Sequence, residues 1–462
     1  MIIKGSKIFI DTIDFLEQQV NKINDSIYSG SVVTIQGLVL LISGINLPVG
    51  SLCFIKKRKK KYLYRKIFEV IGFKKNLMFI IPLDGIISGI CPGDRVFPII
   101  SESNKEKNIF LEQKFPIGEN MLGRVLDSRG NTIDGLGSFV PDMYDSISNS
   151  TINPMFRKPI NSILDVGIRS INSLFTIGLG QRIGLFSTSG IGKSVLLGMI
   201  TKYCSSDVVV IGLIGERSRE IKEFIDNVLG PFGIAKSVII AEPAGASPLL
   251  RIQGAMFATR IAEYFRDAKK KNVLLIIDSL TRYAMSLREI ALSMGELPVS
   301  KGYPVSVFSK LSHLLERAGN SSLESGSMSA IYTVLTEEDE GNDPIADISK
   351  STLDGHLVLS KEQAQLGIYP AIDIESSISR VMTGLVSAEH HSYMLRFKQL
   401  MSVYKKNKEL INIGAYISGT NSVIDESISK YDKLNNFLQQ SININVDFYN
   451  SIRELKKIFV NK

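Results

Sequence analysis

Residues 182–200 read RIGLFSTSGIGKSVLLGMI. An apolar strand pattern, Ile183 to Phe186, runs into a loop of small residues, Ser187 to Gly192, followed by Lys193, Ser194 and an aliphatic helical pattern. That is the strand, loop and helix order of a phosphate-binding loop. Small residues let successive backbone N–H groups curl around a phosphate at a helix N-terminus, where the helix dipole also favours negative charge. Ser187, Thr188, Ser189, Gly190, Ile191 and Gly192 are the expected cradle, Lys193 reaches the β- and γ-phosphate oxygens, and the Ser194 hydroxyl is a ligand for Mg²⁺. Ser187 stands where the strict pattern has glycine, which works only if its backbone angles stay open to an L residue.

Two more strand ends supply chemistry. NVLLIIDSLTRYA ends an aliphatic run on Asp278, where a carboxylate can hold a water on Mg²⁺. DVVVIGLIGERSREIKEFI delivers Glu216 at the end of another run, the place for a base that polarises the attacking water, with Arg217 beside it to pair phosphate oxygens. Read alone, Glu216 fits better an acidic residue opening a helix, its charge matched to the dipole. In the nucleotide reading, a carboxylate on the adjacent strand tip aims solvent at the terminal phosphorus.

Strand patterns RIGLFS, DVVVIGLI, KSVIIAE, NVLLIID and AIYTVL alternate with helical ones such as PLLRIQGAMFATRIAEYFRDAKKK. Near-continuous aliphatic strands imply burial on both faces and so a mostly parallel sheet flanked by helices. Beyond about Val381 the pattern is helical to the end. Between about Gly30 and Ile100, short β-rich runs (VVTIQGLVLLI, SLCFI, YLYRKIFEVIGF, NLMFIIPL, DRVFPII) are separated by Gly, Pro and Asn, the rhythm of a small closed barrel. The expected organisation is multidomain: an amphipathic segment over 1–27 that docks a partner or caps the next domain, a β-barrel over 28–100, an α/β nucleotide-binding domain over 101–380, and an α-helical domain over 381–462.

Composition excludes several classes. At 462 residues, 44% hydrophobic and 22% charged, the chain is neither disordered nor collagen-like. Three dispersed cysteines and four histidines argue against a structural zinc site or a disulfide framework and fit a reducing cytoplasm. Charges interrupt every apolar stretch of MIIKGSKIFIDTIDF, so no signal peptide is expected. Residues 31–55 carry no charge and precede KKRKKK, imitating a membrane span, but Gln36, Gly37, Ser43, Gly44, Asn46, Pro48 and Gly50 cut them into strand-length pieces. Of the net +8, ten Lys or Arg and one acid lie between Lys56 and Lys75, leaving 44 bases against 45 acids elsewhere. That rules out a basic body that coats nucleic acid. It leaves one basic segment, either a solvated hairpin tip or a docking element for an acidic partner or anionic lipid. The acidic run EEDEGNDP, Glu337 to Pro344, reads as a solvated loop.

Together GERSRE, the LTRYA after Asp278, GIYPAIDIESSISR and the upstream PIGENMLGRVLDSRGNTIDG resemble the catalytic subunits of the rotary ATP synthases and their type III secretion relatives. LIGERSREIKEFIDNVLG, DPIADISKSTLDGHLVLS and YPAIDIESSISRVMTG are most similar to the flagellar export ATPases, from about residue 28 onward. The resemblance implies a barrel, a RecA-type ATP-binding domain and a helical domain, assembled as a homo-oligomeric, hexameric ring. By motif it assigns phosphate and Mg²⁺ binding to Lys193 and Ser194, water activation to Glu216, γ-phosphate contacts to Arg217 and Arg282, and the role of the Walker B carboxylate to Asp278. Tyr369 of YPAID matches the tyrosine that packs on adenine, and Arg380 of SISR the arginine offered to a neighbour's nucleotide; a local ion pair with Glu375 is the other reading of Arg380. Ser187, Thr188 and Ser218 depart from the family's usual residues.

The implied function is ATP hydrolysis coupled to release, unfolding and export of flagellar proteins, in the cytoplasm at the inner-membrane base of the flagellum. Implied partners are a regulator at the N-terminal helix, a coiled-coil stalk protein, export-gate membrane proteins and substrate–chaperone complexes, with no nucleic acid. The alternatives are a virulence type III secretion ATPase, a nucleic-acid translocase of the transcription-terminator type, and a non-catalytic nucleotide-binding ring subunit.

Overall fold

The computed structural model describes residues 29–59, 62–99, 113–149, 151–322, 325–336 and 343–460, with positions 13, 16 and 17. The rest of the 1–27 segment and of the acidic run before Asp343 lie outside the described residues, as do the side chains of 58–64 at the tip of the basic segment. Two compact units divide the chain, 1–113 and 114–462.

The first unit holds a closed six-stranded barrel in the order Gly30–Gln36, Val39–Ser43, Leu77–Pro82, Tyr62–Lys74, Leu52–Lys59 and Arg95–Pro98. Closure removes exposed sheet edges, and alternation sends Cys53, Ile55, Phe68, Val70, Met78 and Ile80 inward. The apolar 31–55 segment is strand and turn in this barrel. Among the described residues no helix is long and apolar enough to cross a membrane. The basic segment forms two paired strands, registered from Leu52 opposite Glu69 to Lys59 opposite Tyr62.

The second unit is built on an eight-stranded sheet ordered Ile378–Ser379, Gly355–Val358, Arg182–Ser187, Met328–Leu335, Val273–Asp278, Val208–Glu216, Ser237–Pro243 and Val125–Leu126. All neighbours are parallel except the Ile378–Ser379 edge. The five aliphatic runs form its middle, buried on both faces as their composition requires. Val125–Leu126, Gly355–Val358 and Ile378–Ser379 are additional strands of two to four residues. Helices Ala388–Asn412, Ser422–Leu438 and Phe448–Phe459 form the C-terminal region. Phe397, Leu400, Leu434, Phe437 and Leu455 join the same core as the sheet residues Leu185 and Ile211.

A buried ion pair ties helix Pro248–Asp267 to the end of Val305–Arg317. Arg317 donates from Nε and Nη2 to Glu263 Oε1 and Oε2 at 2.7 and 3.0 Å, and from Nη1 to the Ile147 carbonyl. Both side chains are essentially inaccessible. Arg317→Ala leaves Glu263 buried without this partner and is expected to cost about 3–5 kcal/mol of stability, read by urea denaturation. A loss near zero would contradict it.

Candidate active site

Strand Arg182–Ser187 hands the chain to the loop and then to helix Lys193–Tyr203. Within the loop, only Gly190 and Gly192 have positive φ, 84° and 89°. Both are glycines, so the left-handed positions fall where no side chain resists them. Ser187 is the last residue of the strand, paired with Leu335, and its carbonyl accepts from Thr336 N at 3.0 Å. An L residue fits this extended position, which accounts for the missing glycine. The Ser187 hydroxyl is buried without a hydrogen-bond partner. Ser189 and Ser194 are exposed, with Ser194 in the first turn of the helix.

Lys193 joins the strand tips. Its Nζ lies 2.5 Å from Asp278 Oδ1 and 3.5 Å from Glu216 Oε1. The second contact is electrostatic, because Glu216 Oε1 is buried and accepts no hydrogen bond. The Asp278 oxygen also accepts from Thr333 Oγ1 at 2.7 Å. Burial disfavours the Lys193 charge, but the Asp278 and Glu216 carboxylates outweigh it and hold the pKa above the ordinary lysine value. For Glu216, burial and the neighbouring Asp278 charge raise the pKa, with Lys193 and Arg282 acting in the opposite direction.

The strand carrying Glu216 is not adjacent to the phosphate-loop strand, contrary to the sequence expectation. Met328–Leu335 and Val273–Asp278 lie between them. The long Lys193 side chain spans this distance, and a break in register between Ile214 and Glu216 marks a bulge at Gly215, whose φ is 73°. A Cβ there would meet the Arg282 side chain at 3.0 Å. Gly215 therefore permits both the bulge and the approach of Arg282, a role the sequence reading missed although GLIGE displays the glycine.

Tyr369 and the loop residues Thr188, Ser189, Gly190 and Ile191 line a cleft of about 550 Å³, together with Thr336 and the helix Lys361–Gln365. Its size is in the range of small-molecule sites. The Tyr369 ring is close to the loop, 3.3 Å from where a Cβ on Gly192 would stand, and 46% exposed. Thr336 and the 361–365 helix were not singled out from sequence.

Two arginines lie apart from this cluster. Arg217 precedes helix Ser218–Glu223, pairs with Glu220 at 2.9 Å, and its side chain is 79% exposed. Arg380 is exposed and donates from Nη2 to the Lys350 carbonyl at 3.0 Å. Glu375 pairs instead with Lys405 at 3.3 Å, so the local ion pair considered for Arg380 does not form.

The raised Glu216 pKa has a stability consequence. A carboxyl with a higher pKa in the folded than in the unfolded state binds protons more tightly when folded. Its favourable contribution is complete below the unfolded value, close to 4.5, and is lost as pH rises through the folded value. Glu216→Gln is therefore expected to melt above wild type near neutral pH, with the gain shrinking as pH falls toward 4.5. A pH-independent difference in melting temperature would contradict this.

The profile of the ATP synthase alpha/beta family, nucleotide-binding domain, matches residues 167–379, and that of the T3SS EscN ATPase C-terminal domain matches residues 386–457. The chain is 50% identical to a flagellum-specific ATP synthase of Buchnera aphidicola subsp. Acyrthosiphon pisum, covering 98% of this chain and 96% of the relative. It is similar to the assembled ATPase EscN of the enteropathogenic E. coli type III secretion system, with TM-score 0.83, 37% identity, and coverage of 93% of this chain and 99% of that one. EscN in complex with its central stalk EscO gives TM-score 0.81 and 36% identity over 93% of this chain and 99% of that one.

Proposed function

The chain belongs to the flagellum-specific ATP synthase family, whose members are ATP-hydrolysing enzymes of type III protein export, and on that premise we propose that it hydrolyses ATP at the Lys193–Glu216–Asp278 cluster to drive flagellar export. The observation that carries this reading is the Glu216 carboxylate oxygen, buried, free of hydrogen bonds and 3.5 Å from the phosphate-loop lysine. An acceptor held in this way is suited to a water molecule.

The cradle and Lys193 bind the phosphates, Tyr369 packs on adenine, and Glu216 orients the attacking water and takes its proton as the bond to the γ-phosphorus forms and the bond to the β–γ bridging oxygen breaks. The Arg282 charge lowers the cost of the Glu216 carboxylate charge. Arg217 reaches phosphate only if its side chain leaves Glu220.

Ser194 and Asp278 present hydroxyl and carboxylate oxygens, the hard donors that suit Mg²⁺. Mg²⁺ is commonly held by one or two protein groups together with substrate phosphates, the role these two residues would share. When bound, Mg²⁺ neutralises charge on the phosphate oxygens.

The assembled state of EscN and its complex with the stalk EscO support a homo-oligomeric ring with a central coiled-coil stalk for this chain. Arg380, exposed and without a carboxylate partner among the described residues, is the group this ring would supply to a neighbouring site. A cytoplasmic location at the inner-membrane base, a regulator at the N-terminal segment, export-gate proteins and substrate–chaperone complexes complete the proposal. The test is phosphate release from Mg–ATP by the full chain across a range of protein concentration. Turnover per subunit is expected to rise with concentration and then level off as rings fill; a constant value at every concentration would contradict the shared site.

A further inference from the structure

Strand Met328–Leu335 lies between the phosphate-loop strand and the Asp278 strand, and its sequence, MSAIYTVL, places a hydroxyl at Thr333 in the buried centre of the sheet. Thr333 has no exposed surface. A valine would satisfy the shape and the strand preference of that position, so the hydroxyl requires a polar reason. Its two possible acceptors are unequal: Asp278 Oδ1 at 2.7 Å and the Ile277 carbonyl at 3.4 Å. One proton serves one good bond, and the carboxylate takes it.

The same Asp278 oxygen accepts from Lys193 Nζ at 2.5 Å. A lysine that also serves phosphate cannot keep that bond unchanged when the substrate arrives. Once Lys193 turns to the phosphates, Thr333 is the remaining side-chain donor to Asp278 Oδ1 among the described residues. The carboxylate side chain is only 6% exposed, so a loss of this bond is not readily made good by solvent.

We propose that Thr333 is a positioning residue for the reaction: its hydroxyl fixes the rotation of the Asp278 carboxylate so that the second oxygen stays directed at the hydrated Mg²⁺ of the substrate complex. This rests on the reading of Asp278 given above. Groups that orient a metal-binding side chain typically change metal affinity by about 10- to 100-fold when removed.

The test compares the full-length protein with Thr333→Val, which keeps the shape and removes the hydroxyl, and Thr333→Ser, which keeps the hydroxyl. ATP affinity is measured with a fluorescent ATP analogue over a Mg²⁺ titration and again in chelator, with a thermal melt of each variant. Thr333→Val is expected to raise the Mg²⁺ concentration for half-saturation by about 10-fold or more, with affinity in chelator unchanged, and Thr333→Ser to restore the wild-type requirement. A wild-type Mg²⁺ requirement in Thr333→Val, or equal losses with and without Mg²⁺, would overturn the inference. Thr333→Ala, read in the same way, serves if the valine variant does not fold. Asp278→Asn separates the two claims: if it raises the Mg²⁺ requirement and Thr333→Val does not, the Thr333 role alone fails, whereas no effect of Asp278→Asn removes the metal assignment and this inference with it.

Discussion

Glu216→Gln is expected to lower kcat by roughly 10²- to 10⁴-fold while leaving ATP affinity within a few-fold of wild type. Glutamine preserves the size of the side chain and one carbonyl oxygen, so the cleft and the backbone bulge at Gly215 stay intact. What disappears is a carboxylate able to accept the proton of the attacking water. Lys193 keeps its 2.5 Å contact with Asp278, so the cation remains in the site. Measurement of kcat by phosphate release alongside equilibrium nucleotide binding separates the two effects. If Glu216 were only a charge partner for Lys193, the variant would hydrolyse ATP at close to the wild-type rate.

Arg380→Ala is expected to have the larger effect, a loss of roughly 10³- to 10⁵-fold in turnover if the guanidinium acts as an arginine finger on a neighbour's nucleotide. Within its own subunit Arg380 makes backbone hydrogen bonds, from Nη2 to the Lys350 carbonyl and from its amide to the Asp354 carbonyl. Neither bond involves a residue of the phosphate loop, so the variant is expected to bind ATP and melt as wild type does. The size of the loss distinguishes a charge placed at the transition state from a surface residue. An exposed arginine with a structural role would change stability by a fraction of a kilocalorie and turnover very little.

The phosphate loop was legible in sequence because its chemistry demands small residues at fixed spacing before Lys193. The aliphatic strands were legible because burial on both faces leaves little room for polar residues. Strand order was not: nothing in a linear sequence states that Met328–Leu335 and Val273–Asp278 intervene between Ser187 and Glu216. Edge strands as short as Val125–Leu126 and Ile378–Ser379 carry too few residues to display a period of two. Thr333 was passed over because a threonine in a strand looks like a valine until its hydroxyl is seen to meet Asp278. Arg217 faces solvent and pairs at i+3 with Glu220, a pairing that helical spacing makes available in RSRE but that family likeness alone obscures.

The central claim is that a working site combines Glu216 of one subunit with Arg380 of the next, and mixing two inactive variants tests it most directly. A subunit carrying Arg380→Ala retains its Glu216, while a subunit carrying Glu216→Gln retains the arginine it offers to a neighbour. In a cyclic assembly mixed at random in equal amounts, roughly one interface in four joins the two intact groups. The account predicts that hydrolysis, nearly absent in either variant alone, returns on mixing. If the mixture stays as inactive as its components under conditions where both assemble, the shared site is contradicted.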